Sequence, residues 1–124
     1  MNRRKLVWLG SSHNDLKELA DSVRRDLGFA LYQAELGCFP KGAKPLSGFN
    51  GVIEIIKDFD GATFRAVYAT KIGENIYVLH VFKKKSKHGI KTPKKEIELI
   101  KQRLKAAKRL EEMHCEHTDK TRIH

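Results

Sequence analysis

The chain of 124 residues holds only two cysteines, three prolines and one tryptophan. Cys38 and Cys115 have neither the spacing of a disulfide framework nor that of a zinc site, which points to a reducing compartment. No apolar run approaches the ~18 residues that a membrane-spanning helix needs. Arg3-Arg4-Lys5 is followed only by Leu6 to Leu9 before Gly10, too short an apolar stretch for a signal peptide, so a cytoplasmic location is expected. Internal repeats and an interdomain linker are absent, and the length suits one hydrophobic core rather than two. The chain therefore reads as one domain over residues 1–113 and a flexible tail over 114–124, where apolar periodicity stops.

What the chain has in excess is positive charge, a formal +10. Between Lys83 and Arg109 there are 12 Lys or Arg against only Glu96 and Glu98, so this one segment accounts for the whole imbalance. Charge so concentrated favours a polyanionic partner, either nucleic acid or an acidic protein surface. A solvated lysine-rich helix is the plainer alternative. Binding to a membrane surface is not expected, because the apolar stripe of this segment is needed for the core.

The densest pattern lies between Val52 and Lys95. Val52 to Lys57 is rich in β-branched residues and reads as a strand, Asp58 to Gly61 as a turn, and Thr63 to Ile72 as a second strand. Gly73-Glu74 reads as a tight reversal and Asn75 to Phe82 as a third strand, giving an antiparallel meander. Period-two alternation then puts Glu54, Ile56, Arg65, Val67, Lys71, Val78, His80 and Phe82 on one face. The opposite face carries Ile53, Ile55, Phe64, Ala66, Tyr68, Ile72, Tyr77, Leu79 and Val81 and is expected to be the core. The first face is expected to lie open, with the lysines of residues 83–87 at its rim.

Around this meander, Lys5 to Leu9 is expected to be an edge strand. Ser11 or Ser12 is placed to cap a helix whose apolar residues Leu16, Leu19, Ala20, Val23 and Leu27 run up to Gly28, and a short second helix covers Phe29 to Leu36. Residues 38–51 contain two prolines and three glycines and read as a loop. Thr92-Pro93 reads as the start of a last helix with Ile97, Ile100, Leu104 and Ala107 on its buried side.

In this order of elements, the strings FRAVYATK (64–71), YVLHVFKKKSKHGIKTP (77–93) and EIELIKQRLK (96–105) are similar to the RelE/ParE superfamily of toxins from type II toxin–antitoxin systems. The nearest resemblance is to its phage-derived HigB-like branch, over roughly Leu6 to Leu110. The resemblance implies an α+β RelE-like microdomain: a twisted antiparallel sheet, two N-terminal helices packed on one face, and a C-terminal helix. It also implies a metal-independent mRNA endoribonuclease working with the ribosome and its rRNA, and a cognate helix-turn-helix antitoxin. No cofactor or metal is expected.

Metal-free RNA cleavage requires deprotonation of the 2′-hydroxyl, stabilisation of a pentavalent phosphate and protonation of the 5′-oxygen. Arg65 sits mid-strand, where a guanidinium fork suits phosphate, and matches the arginine the superfamily uses on this strand. A structural ion pair with Glu54 or Asp58 is the plainer alternative. Lys84 falls on the Arg65 side by alternation, beside the region of the superfamily's basic catalytic residues. Glu54 is a candidate general base, with His80 and His88 as titratable alternatives. Lys57, Lys83, Lys85, Lys87, His88 and Lys91 are candidates for phosphate or rRNA contact, and Phe82 for stacking on a base. His114, Cys115, His117 and His124 cluster in the tail but lack a well-placed set of four ligands. Two other functions remain open: a ParE-type inhibitor of DNA gyrase, and a non-catalytic nucleic-acid-binding module.

Overall fold

The structure, a computed structural model, describes residues 3–84 and 92–122, the latter without side chains from residue 115 onward. Five strands form one sheet: β1 (Leu6–Trp8), β2 (Ala43–Pro45), β3 (Val52–Phe59), β4 (Ala62–Ala69) and β5 (Ile76–Lys84), in the spatial order β1-β5-β4-β3-β2. All neighbours are antiparallel except β1, which runs parallel to β5 at one edge. The described residues also form three helices: α1 (Ser12–Lys17), α2 (Asp21–Glu35) and α3 (Lys94–Arg122). The result is a mixed α+β domain compatible with a RelE-like microdomain.

The β3–β4 hairpin follows from its turn. Asp60 and Gly61 both adopt positive φ, 51° and 76°, the geometry that lets two residues close a hairpin whose last pair is Phe59 with Ala62. That turn fixes the register along both strands, pairing Ile56 with Arg65 and Glu54 with Val67 as alternation predicts. The β4–β5 pair begins as expected, with Arg65 opposite Phe82 and Val67 opposite His80. It then slips by one residue after Val67, leaving Leu79 without a β4 partner. Past this bulge Val78 lies on the face of Tyr68, while Tyr77 and Leu79, with Ile72, pack on the opposite one, correcting the expected sides of all four. It also replaces the expected two-residue reversal at Gly73-Glu74 by a connection over residues 70–75.

Both sheet faces carry a core. On one, Leu16, Val23, Leu27 and Leu31 of α1 and α2 pack against Ile55, Phe64, Ala66, Tyr68, Val78 and Val81. On the other, Ile100 and Ala107 of α3 pack against Val52, Val67, Ala69, Tyr77, Leu79 and Phe82. The expectation that the face of Glu54, Arg65 and His80 lies open is thereby corrected. The apolar stripe of α3 has its counterpart on the sheet, and covering Val67, Leu79 and Phe82 removes apolar area worth roughly 25 cal/mol per Å².

The N-terminal helices divide elsewhere than expected. The chain leaves helical geometry between Glu18 and Ala20, where Ala20 is extended at φ −55°, ψ 146°, and α2 then runs through Gly28. Val23, Leu27, Ala30, Leu31 and Ala34 are buried along α2, so their continuous stripe outweighs the ~1 kcal/mol that a mid-helix glycine costs. Gly10 shows a real need for glycine: its φ is 55°, and a Cβ there would lie 2.7 Å from Nε of Arg103.

Candidate functional site

The register of β3, β4 and β5 brings Glu54, Arg65, His80, Phe82 and Lys84 to the face that α3 covers. All five are buried, Glu54 being 2% and Arg65 3% exposed. Charges cannot lie there without partners, because desolvation of each ion costs several kcal/mol. The Arg65 Nη1 donates to Glu54 Oε2 at 3.1 Å and to Thr92 Oγ1 at 3.1 Å. Thr92 Oγ1 in turn donates to Glu54 Oε2 at 3.3 Å. The Thr92 hydroxyl therefore ties the start of α3 to the sheet. Lys44 of β2, opposite Glu54 in register, places its Nζ 3.6 Å from Glu54 Oε1. The carboxylate is thus flanked by a guanidinium on the inner side and an ammonium on the outer.

His80 lies in the same layer, with its ring stacked on Phe82 at a centroid separation of 4.7 Å. Its Nε2 meets the Glu96 carboxylate and its Nδ1 lies 3.3 Å from Nη1 of Arg103. An arginine can only donate, so Nδ1 is the acceptor and the proton sits on Nε2, donated to Glu96. Burial pushes the His80 imidazole below its ordinary range, and Arg103 acts in the same direction, while Glu96 and Asp15 oppose them. Both ring nitrogens are spent on α3, which makes His80 a bridge between sheet and helix. Arg103 also donates to the carbonyl of Leu79, the residue that the bulge leaves unpaired, at 2.9 Å.

Lys84 shares the Arg65 face and is 7% exposed. Lys83 and Lys57 fall on the opposite face, where Lys83 lies over the Phe64 ring at 5.7 Å and Lys57 pairs with Asp26 of α2 at 2.8 Å. Phe82 is packed in the α3 core, 9% exposed. Lys85, Lys87, His88 and Lys91 lie outside the described residues, as do the side chains of Cys115, His117 and His124. Among the described residues, no group of three or more His, Cys, Asp or Glu side chains is placed to hold a metal ion.

Beside Glu54 a cavity of about 330 Å³ opens between β2 and the start of α3, lined by Lys44, Pro45, Leu46, Ser47, Glu54, Thr92 and Ile97. Lys44, Glu96 and Arg103 had no role assigned from the sequence alone. Lys44 stands between Ala43 and Pro45 in a stretch that reads as loop, and only pairing of that stretch with β3 reveals it. Chemically, the site offers a carboxylate able to accept a proton and cations able to take negative charge on a phosphate.

Comparison with known families places the chain on firmer ground. The family described as Phage derived protein Gp49-like (DUF891) matches residues 14–105, which include every strand but β1 and the whole cluster around Glu54. No curated protein matches the chain. Among the described residues no helix is long and apolar enough to cross a membrane.

Proposed function

The chain belongs to the phage-derived Gp49-like family, which is associated with the toxins of toxin–antitoxin pairs and so implies an antitoxin partner, and we propose that it acts as a metal-independent mRNA endoribonuclease. The observation that supports this reading is Glu54 at the wall of the cavity beside β2, joined to the buried Arg65. Glu54 accepts the proton of a 2′-hydroxyl, and the 2′-oxygen attacks phosphorus as the bond to the 5′-oxygen breaks. Arg65 and Lys84 stabilise the charge of the pentavalent phosphate. The products are a 2′,3′-cyclic phosphate and a 5′-hydroxyl, the latter formed by protonation of the departing oxygen. The excess positive charge over residues 83–109 favours ribosomal RNA as the platform and an acidic or groove-covering segment of a helix-turn-helix antitoxin as the inhibitor.

One observation favours a second reading. Arg65 is enclosed by Glu54, Thr92 and α3, an arrangement equally suited to a protein that inhibits DNA gyrase by surface contact. Induction in cells followed by mapping of RNA ends separates the two. New 5′-hydroxyl ends that vanish in Glu54→Gln and Arg65→Lys, both still folded by thermal melting, support the nuclease. DNA breaks with intact transcripts overturn it in favour of gyrase inhibition.

A further inference from the structure

The cations on this face of the sheet differ in what they can reach. The Arg65 side chain is 4% exposed and Lys84 is 7% exposed, whereas the Lys44 side chain is 42% exposed and lines the cavity mouth. At 3.6 Å its ammonium is beyond hydrogen-bond distance of Glu54, so the contact is a loose Coulombic one. The Glu54 side chain is 3% exposed and keeps its shorter contacts to Arg65 and Thr92, so the half-exposed ammonium can turn to another anion. Among the described residues β2 is also the terminal strand of the sheet, and the cavity lies along that edge.

The rest of the lining has the character of a ligand subsite. Pro45, Leu46 and Ile97 supply apolar wall, and Ser47, Thr92 and Glu54 supply polar groups at a few points. A mostly apolar concavity with few polar groups is the usual make-up of small-molecule sites, and about 330 Å³ lies at the lower end of their ~300–1,000 Å³ range. We propose that this cavity is a nucleotide subsite: the base of an unpaired nucleotide lies against Pro45, Leu46 and Ile97, and Lys44 Nζ holds its 3′-phosphate beside Glu54. The proposal rests on the nuclease reading, since it supplies the contact by which the scissile phosphate is brought to the carboxylate. Lys44 is then the first cation that substrate meets, and Arg65 lies behind Glu54 as the second.

The test is titration of the full chain with each of the four nucleoside 3′-monophosphates, with the parent nucleosides and with inorganic phosphate, followed by NMR and calorimetry. At least one 3′-monophosphate binds and shifts the resonances of Lys44, Leu46 and Ser47, more tightly than its nucleoside or inorganic phosphate. Lys44→Gln weakens that binding about tenfold or more, the loss expected for one charge-assisted hydrogen bond, and Lys44→Arg retains it. Lys44→Gln also lowers kcat/KM on single-stranded RNA, leaves the melting temperature unchanged, and reduces the slope of log affinity against log salt by about 0.7. No binding by any of the four, equal binding of inorganic phosphate, or a Lys44→Gln variant that binds and cuts like the parent overturns the subsite. A parent that binds through Lys44 yet cuts no RNA overturns the nuclease and leaves the subsite standing. A parent that cuts RNA with Lys44→Gln unaffected does the reverse.

Discussion

The two faces of the sheet are built on different principles. Toward α1 and α2 the buried layer is almost wholly apolar, from Val23, Leu27 and Leu31 across to Ala66, Val78 and Val81. Toward α3 the apolar layer covers one part, and next to it lie Glu54, Arg65, His80 and Lys84, all buried. Replacing buried ion pairs with well-packed apolar residues is often neutral or stabilising, so stability alone gives no reason for the second arrangement. Both faces are closed by helices, but only one encloses groups able to move protons and bind phosphate. Both faces hold the fold, and the second adds a buried cluster of ionisable groups.

The largest effect is expected from opening the ion pair. Arg65→Ala leaves Glu54 buried beside a void, and denaturant unfolding should show a loss of about 3–5 kcal/mol. Combining Arg65→Met with Glu54→Leu should recover most of that stability while RNA cleavage stays abolished. A double variant as unstable as the single one would mean that the pair is a structural necessity and would erase the contrast between the faces.

On the apolar side, Leu27→Ala should cost about 2–5 kcal/mol through the cavity it leaves. Cleavage per folded molecule should be unchanged, measured against the folded fraction from the same melt. A drop in specific activity would show that the two faces are coupled.

The His80 bridge predicts a pH dependence. Its folded-state affinity for a proton is below that of the unfolded chain, whose imidazole titrates near 6.5. The unfolded state therefore binds more protons as pH falls from about 6.5 toward the lower folded value, and the folded state loses stability across that window. Burial sets the direction of the shift; Glu96 of α3 and Asp15 of α1 oppose it, and Arg103 of α3 adds to it. Urea unfolding at pH 5, 6 and 7 should show a smaller loss on acidification in His80→Asn than in the parent. Equal losses would mean that His80 does not report on α3 docking.

The smallest effect belongs to Lys57, whose pair with Asp26 is solvent-exposed. Lys57→Ala should change stability by less than about 1 kcal/mol and leave cleavage intact, because its side chain lies on the α1–α2 side. Reduced cleavage would extend the functional surface across the sheet.

Much of this could be read from residue order. The Asp60-Gly61 turn and the alternation of Val52 to Lys57 fix the β3–β4 register, and with it the shared face of Glu54 and Arg65. The positions of β1, of the α3 start after Pro93 and of the Ile97–Ala107 stripe follow from equally local signals. Gly28 gave a local signal that tertiary packing overrode, since the α2 stripe continues past it. The helix break near Ala20 has neither glycine nor proline to mark it.

By itself, then, the sequence determined the number and kind of most elements, the pairing of the central hairpin, and which ionisable residues share a face, because turn geometry and period-two alternation act over a few residues. The tertiary structure alone decided that this face is covered, that Leu79 bulges, and that Lys44 and Thr92 reach Glu54. Those contacts join residues far apart in the chain, and they form only when helix and sheet bury their apolar surfaces against each other.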